Sequence, residues 1–301
     1  MKTNSFPIAI SIYCPQLETE VLDWLRFHLP SWNKAIFKGI FAHRINWFAA
    51  YLLPEFSREN LQSCMRLFLC LFLLDDLLDR ISPLESKKCL TLLRQKETNS
   101  IGFNQEILEF KTLIKKQIKG FQESSPDNWF SEWNKIWDAY LGGLEWEITN
   151  KMAKQKPDLE DYWQNRIHSL GVFLALHILK LEFEQEPSQA IKLEQKAAKL
   201  ICISNDIISL SKERALGDFS NGILLSEFYL EIPENQAIEL HKKQIEILTN
   251  EIWELSSFSK GWTHNSDSWL RSFLLLIGGC LYWSEQDTLR YSTAINGQIK
   301  N

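Results

Sequence analysis

The sequence lacks any uninterrupted apolar run near the roughly 20 residues that cross a bilayer. The longest candidates, residues 67–74 and 272–283, are too short, which argues against a membrane-spanning protein. No dense basic tract is present and the net charge is −5, so the chain does not read as a nucleic-acid binder. Its six cysteines (Cys14, Cys64, Cys70, Cys89, Cys202 and Cys280) form no CxxC pair. They read as reduced core residues of a cytoplasmic protein, neither a disulfide frame nor a zinc site. The N-terminus offers one lysine, Lys2, and a brief apolar patch at 7–14. It has no small-residue cleavage site, so an ordered arm over residues 1–16 is expected in place of a signal peptide. Internal repeats and low-complexity segments are missing, and β-branched alternation is rare.

What is present is aromatic and helical. The 301 residues include 12 Trp and 18 Phe, 45% of the chain is apolar and 24% is charged. A chain of this length and balance can bury a sizeable core. Apolar residues recur at helical spacing almost throughout, with Gly and Pro between the periodic segments. Helices are expected over residues 17–29, 31–51 (capped by Ser31), 57–80, 85–95, 104–122, 126–155 and 159–183, the last broken near Gly171. Further helices are expected over 188–213, 222–231, 233–258 and 266–290. With no composition shift along the chain, residues 1–301 read as one all-α domain, a bundle of helices around a central apolar cavity.

Residues 67–74 run straight into Asp75-Asp76-Leu77-Leu78-Asp79. Burying unpaired carboxylates is expensive, so these acids belong at the rim of a cavity where a cation meets them. Asp75 and Asp79 lie one helical turn apart on one face, where like charges repel. Mg²⁺, which is held by one or two carboxylates plus substrate phosphates, would reverse that sign. Taken alone, the motif reads equally as a solvated acidic helix end. A second column follows in Asn205-Asp206-Ile207-Ile208-Ser209-Leu210-Ser211-Lys212-Glu213. Asn205, Ser209 and Glu213 sit at i, i+4 and i+8 and share a face. An amide oxygen, a hydroxyl and a carboxylate suit another hard cation. Ser and Asn are mediocre inside helices, because their side chains compete for backbone hydrogen bonds. The alternative is a polar helix face near a C-terminus.

Together these motifs resemble class I terpene synthases, specifically the bacterial-type single-domain terpene cyclases. The resemblance rests on the aspartate-rich motif Asp75–Asp79 and the NSE motif Asn205, Ser209 and Glu213. Support comes from Lys212 before the Glu and from Arg166 within Tyr162-x-x-x-Arg166-x-x-Ser169-x-Gly171. Trp146-Glu147, taken as the end of the middle helix, and Trp283-x-x-x-x-Thr288-x-Arg290-Tyr291 complete it. The family's chemistry implies a Mg²⁺-dependent enzyme that ionises a linear prenyl diphosphate, releases pyrophosphate and cyclises the allylic cation in a closed cavity. Farnesyl diphosphate is the expected substrate, with geranylgeranyl diphosphate next. Three Mg²⁺ ions are implied, with Asp75 as a ligand assisted by Asp79, and Asn205, Ser209 and Glu213 holding the third. Asp76 pairs instead with a cation such as an Arg. Arg166 is implied as the diphosphate sensor, and Lys212, Arg290 and Tyr291 complete the clamp. Simpler alternatives stay open: Arg166 paired at the surface with Glu160 or Asp161, Arg290-Tyr291 in a frayed helix end, and Lys212 on a helix dipole.

The interval from Arg166 to Asn205 is shorter than the family pattern, which leaves Ser169, Leu170 and Gly171 open as the linker and effector that follow the sensor. Phe72, one turn before Asp75, is expected to face the cavity and meet the cation. Trp47, Phe48, Phe173, Tyr282 and Trp283 are further candidates, each of which reads more simply as core. His168 and His177 also read as packing residues. A chain-elongating prenyl diphosphate synthase would carry a second aspartate-rich motif where Asn205 to Ser209 stand. A helical ligand-binding protein without catalysis would not keep both oxygen columns. A homodimer is compatible with the sequence but not specified by it.

Overall fold

The computed structural model describes residues 6–94, 102–182, 189–257 and 264–291. Among them are thirteen α-helices and no strand. These are α1 (Cys14–His28), α2 (Lys34–Ala42), α3 (Phe48–Leu52), α4 (Arg58–Arg80), α5 (Pro83–Arg94), α6 (Gln105–Ser124) and α7 (Asp127–Ala153). There follow α8 (Leu159–Ser169), α9 (Val172–Leu179), α10 (Ala190–Leu216), α11 (Gly222–Leu230), α12 (Glu234–Ser257) and α13 (His264–Tyr282). Among the described residues no helix is long and apolar enough to cross a membrane.

Local chemistry sets the helix starts. Ser57 accepts from the Asn60 amide at 3.3 Å, Asn104 from Ile107 at 2.9 Å and Asp158 from Asp161 at 2.8 Å, each an N-cap that satisfies an orphan donor. Pro83 opens α5, where its missing N–H costs nothing. The helix expected over 31–51 is three pieces: α2, a 3₁₀ turn at Ile45–Trp47, and α3. Asn33, not Ser31, caps α2, since its side chain accepts from the Ala35 amide at 2.9 Å. Ser31 turns to Glu109 instead. Arg44 breaks the run with φ 50°, a left-handed conformation that a side chain adopts only when something holds it. The N-terminal arm is also shorter than expected, because α1 already begins at Cys14. Trp146-Glu147 does not end the middle helix, which continues to Ala153.

α4 is buried on nearly every side from Leu67 to Leu74 and packs on α1, α3 and α6. α10 plays the same part opposite, against α8, α9, α12 and α13. One continuous apolar core runs from Phe6 to Trp283. Along α7, Trp129, Trp133 and Trp137 stack at one-turn intervals, with ring centroids 5.5 and 6.4 Å apart. His177 stacks on Trp129 at 4.5 Å and its Nε2 meets the Trp129 carbonyl at 3.0 Å. It is a packing residue, as the sequence suggested.

Helix α13 approaches its neighbours backbone to backbone. A Cβ on Gly279 would stand 2.1 Å from the Tyr51 carbonyl oxygen, and one on Gly278 2.0 Å from that of Pro7. Gly279→Ala is therefore expected to destabilise by about 3 kcal/mol. The apparent Tm in thermal denaturation should fall by roughly 5 °C. Gly120→Ala, with nothing within 4 Å of the added carbon, should leave Tm unchanged or raise it.

Candidate active site

A large cavity opens between α3, α4, α7, α10, α13 and the α8–α9 junction, with about 1430 Å³ of empty space counted to its open mouth. Its floor and walls are apolar, formed by Phe48, Leu52, Phe68, Phe72, Ile201, Leu276 and Trp283. The mouth is ionic. Asp75, Asp79, Glu147, Arg166, Asn205, Ser209, Lys212, Glu213, Arg290 and Tyr291 all line it. Every metal or diphosphate residue expected from the sequence is therefore on one cavity, and Phe72 lies one helical turn before Asp75 on the same wall.

Helix geometry puts Asp75 and Asp79 on the cavity face of α4. Arg290 reaches the motif from the far end of the chain. Its two Nη atoms grip Asp76 at 2.7 and 3.2 Å, and Nη2 also meets Asp75 at 2.9 Å. The guanidinium lies 5.3 Å from the Phe72 ring centroid. Burial works to lower the Arg290 pKa, but the two carboxylates outweigh it and hold the charge on. Arg290 is not on a helix end. α13 stops at Tyr282 and a π-helical turn, Trp283–Asp287, leads away from it. That segment is fastened to the α2–α3 break. Trp283 Nε1 donates to the Arg44 carbonyl at 2.9 Å, Thr288 Oγ1 donates to the His43 carbonyl at 2.6 Å, and Arg44 pairs with Asp287. The left-handed Arg44 thus serves to hold the segment that carries Arg290.

On α10, Asn205, Ser209 and Glu213 form the expected column. Arg166 stands beside it, 9% exposed, and does not pair with Glu160 or Asp161. Nη1 donates to Glu147 at 3.0 Å and Nη2 to Asn205 Oδ1 at 3.0 Å, while Nε is 3.4 Å from Asp206 and Nη2 is 4.0 Å from Glu213. Asn205 Nδ2 donates onward to the Tyr291 hydroxyl at 3.2 Å. Ser209 donates to the Asn205 carbonyl at 2.8 Å. Glu213 accepts from Asn221 Nδ2 at 2.6 Å. Burial pushes Glu213 up to about 7 despite the nearby guanidinium. Lys212 lies 4.0 Å from Asp79 across the mouth, so its partner is a carboxylate on α4.

The break near Gly171 is present. α8 ends at Ser169, Gly171 adopts φ 73°, and α9 starts at Val172. Ser169, Leu170 and Gly171 all line the cavity. A Cβ on Gly143 would lie 2.7 Å from the Ser169 amide, so α7 and the break touch backbone to backbone. Of the aromatic candidates, Phe48 and Trp283 line the cavity with Phe72, at 5.1 and 5.4 Å from its ring. Trp47, Phe173 and Tyr282 do not. Trp47 donates to Glu18 and sits under Arg44, Phe173 lies against His168, and Tyr282 lies against Tyr51.

Several residues carry weight to which the sequence assigned no role. Asp206 is fully buried, accepting from the Tyr162 hydroxyl at 2.7 Å and the Gly222 amide at 2.9 Å while facing Arg166. It ties α8 to α10 and α11. Glu147 takes Arg166 and the Ser169 hydroxyl. Tyr140 lines the cavity, 3.5 Å from where a Gly171 Cβ would stand. A stripe at 140, 144 and 147 was readable along α7, but its periodicity reads equally as core.

The donors fit a hard divalent cation. All are oxygens, and Asn205 Oδ1 and Ser209 Oγ each keep a lone pair beyond the bonds above. Among the described residues no three His, Cys, Asp or Glu side chains converge to hold a metal by themselves. The two columns face each other across the mouth, so phosphate oxygens would have to complete the shell, as is usual for Mg²⁺.

A family model described as terpene synthase family 2, C-terminal metal binding, matches residues 66–251. A germacrene A synthase of Nostoc punctiforme is 27% identical over 271 residues, covering 85% of this chain and 83% of that protein. A (+)-T-muurolol synthase of Roseiflexus castenholzii, named as cyclising (2E,6E)-farnesyl diphosphate, is 27% identical over 132 residues, 40% of each chain. The crystal structure of linalool/nerolidol synthase from Streptomyces clavuligerus superposes with TM-score 0.80, covering 92% of this chain and 98% of that one at 14% identity. That likeness speaks for the fold.

Proposed function

Because this chain belongs to terpene synthase family 2, we propose that it ionises farnesyl diphosphate at the ionic mouth and cyclises the farnesyl cation in the apolar pit, using Mg²⁺ held by both oxygen columns. The observation that carries this reading is the convergence of Asp75 and the Asn205–Ser209–Glu213 column on one mouth, with Arg166 and Arg290 between them and aromatic walls below. Farnesyl diphosphate is favoured over the longer geranylgeranyl chain by the named substrate of the Roseiflexus relative.

In this reading Asp75, assisted by Asp79, would hold metal on the α4 side, and Asn205, Ser209 and Glu213 would hold it on α10. Bound Mg²⁺ supplies positive charge that offsets the charge growing on the leaving diphosphate. The guanidinium of Arg166 and the Arg290, Lys212 and Tyr291 donors contribute the rest, fixed in place before the C–O bond breaks. Arg166 offers a planar fork to phosphate oxygens. Arg290 must loosen its grip on Asp75 and Asp76 to turn to the same oxygens. Phe72, Phe48 and Trp283 line the pit, where a ring face turned to the cation contributes on the order of 1 kcal/mol when dry. Their second task is to exclude water, which would quench the cation to an alcohol. In this reading the released pyrophosphate takes the final proton. The Ser169–Gly171 break turns backbone towards the pit and serves as the linker and effector.

This activity needs the chain as one domain over residues 1–301, with prenyl diphosphate as its partner. The six free, buried cysteines suit a cytoplasmic setting. A homodimer would leave the mouth unobstructed only if it formed away from the α7–α10 rim. Incubation with geranyl, farnesyl and geranylgeranyl diphosphate plus Mg²⁺ tests the reading. The expected result is a cyclic fifteen-carbon product by gas chromatography–mass spectrometry, with stoichiometric pyrophosphate, both lost on chelation. Chain-elongated diphosphates on addition of isopentenyl diphosphate, or no pyrophosphate from any substrate, would overturn it.

A further inference from the structure

The cavity face of α7 carries a cation that the mechanism above leaves unused. Tyr140, Leu144, Glu147 and Lys151 fall at i, i+4, i+7 and i+11, a single helical face. Tyr140 and Glu147 line the cavity and Leu144 is buried. Lys151 comes one turn beyond Glu147, where the stripe emerges at the mouth. Its Nζ stands 3.4 Å from Asp79 Oδ1 and 3.4 Å from Asp218 Oδ2. Both aspartates line the cavity. Lys212 Nζ approaches the other oxygen of Asp79 at 4.0 Å. Ammonium groups from α7 and α10 therefore flank one carboxylate on α4.

These contacts are loose. Charge-assisted N–H···O bonds settle near 2.7–2.9 Å, and the Lys151 side chain is 46% exposed. Ion pairs of that kind hold little energy and exchange readily. Asp79 is also a carboxylate that the proposed reaction calls on for metal. A divalent cation on Asp79 and an ammonium on the same oxygen repel each other, so loading the site displaces Lys151 from Asp79. Asp218 keeps the displaced ammonium at the mouth, within side-chain reach of whatever anion enters. A compact, strongly hydrated point charge of this type is suited to phosphate oxygens.

We propose that Lys151 is a diphosphate-binding residue that passes from Asp79 to a diphosphate oxygen when Asp79 turns to metal. The inference rests on the function proposed above, since it takes the mouth to be the diphosphate site. It adds a cation from α7 to those from α8, α10 and the C-terminal segment.

Isothermal titration of the enzyme with inorganic pyrophosphate in the presence of Mg²⁺ tests this without turnover. Lys151→Met is expected to bind about tenfold more weakly than the unaltered protein. Lys151→Arg, which keeps the charge, should stay within about threefold. Asp218→Asn removes an anchoring charge but leaves the ammonium, and should also stay within about threefold. Circular dichroism and Tm of each variant report whether the fold is intact. If Lys151→Met binds as tightly as the unaltered protein, or more tightly, Lys151 merely competes for Asp79 and the proposal fails alone. If Asp218→Asn weakens binding as much as Lys151→Met, the lysine acts as a strut and the proposal also fails. Absence of pyrophosphate binding by the unaltered protein would instead remove the functional reading together with this one.

Discussion

Arg166→Met is expected to lower turnover by about 10²–10³-fold and to destabilise the protein by about 3–5 kcal/mol. Both effects come from the same geometry. The guanidinium is nearly enclosed and faces Glu147, Asp206 and Glu213, three acids whose burial already pushes their pKa values up. Without it those acids keep their desolvation and lose their counter-charge. Thermal denaturation should show a Tm fall of roughly 5–8 °C. Arg166→Lys separates the two effects. It keeps a positive charge among the acids, so Tm should recover much of the loss. It cannot reach Glu147 and Asn205 together as the fork does at 3.0 Å each, so activity should stay at least about tenfold down. Full activity in the lysine variant would contradict the sensor role of Arg166.

Asp75→Asn is expected to lose turnover without losing stability. The side chain is half exposed and its described ion-pair partner is Arg290, so stability should change by no more than about 1 kcal/mol. Asparagine still accepts from Arg290 but offers no charge to a divalent cation. Turnover should fall by about 10²-fold or more, as expected for losing several kcal/mol of charge stabilisation at the leaving group. Raising Mg²⁺ should recover part of it. Pyrophosphate release measured against Mg²⁺ concentration, beside circular dichroism, checks both halves. A variant with normal turnover would remove Asp75 from the metal site.

Much of this was legible in the sequence because the chemistry is local to single helices. The spacing of Asp75 and Asp79, and of Asn205, Ser209 and Glu213, fixes their faces before any tertiary contact is known. The caps at Ser57, Asn104 and Asp158 and the glycine break at 171 are equally local signals. What was not legible depends on distant partners. Nothing between 31 and 51 announces a break at Arg44, which is neither Gly nor Pro. Its left-handed backbone accompanies an ion pair with Asp287 and a stack on Trp47. Asp206 reads as one more acid in a polar stretch until Tyr162 and Gly222 arrive from other helices. Phe48 and Trp283 were separable from Trp47 and Tyr282 only by tertiary packing, since each pair is adjacent in sequence and both members are aromatic. Asp76 was expected to meet an arginine. That the arginine is Arg290, itself expected at the diphosphate, makes the clamp and the aspartate motif compete for one side chain.

In the proposed mechanism two oxygen columns, on α4 and α10, close around one diphosphate. The most direct test is a crystal structure grown with Mg²⁺ and pyrophosphate. Metal and pyrophosphate are expected together at the mouth, against Asp75 and against Asn205, Ser209 and Glu213, with Arg166 and Arg290 donating to the anion. Metal or pyrophosphate bound elsewhere, with Arg290 still gripping Asp75 and Asp76 and the α10 column unligated, would contradict it.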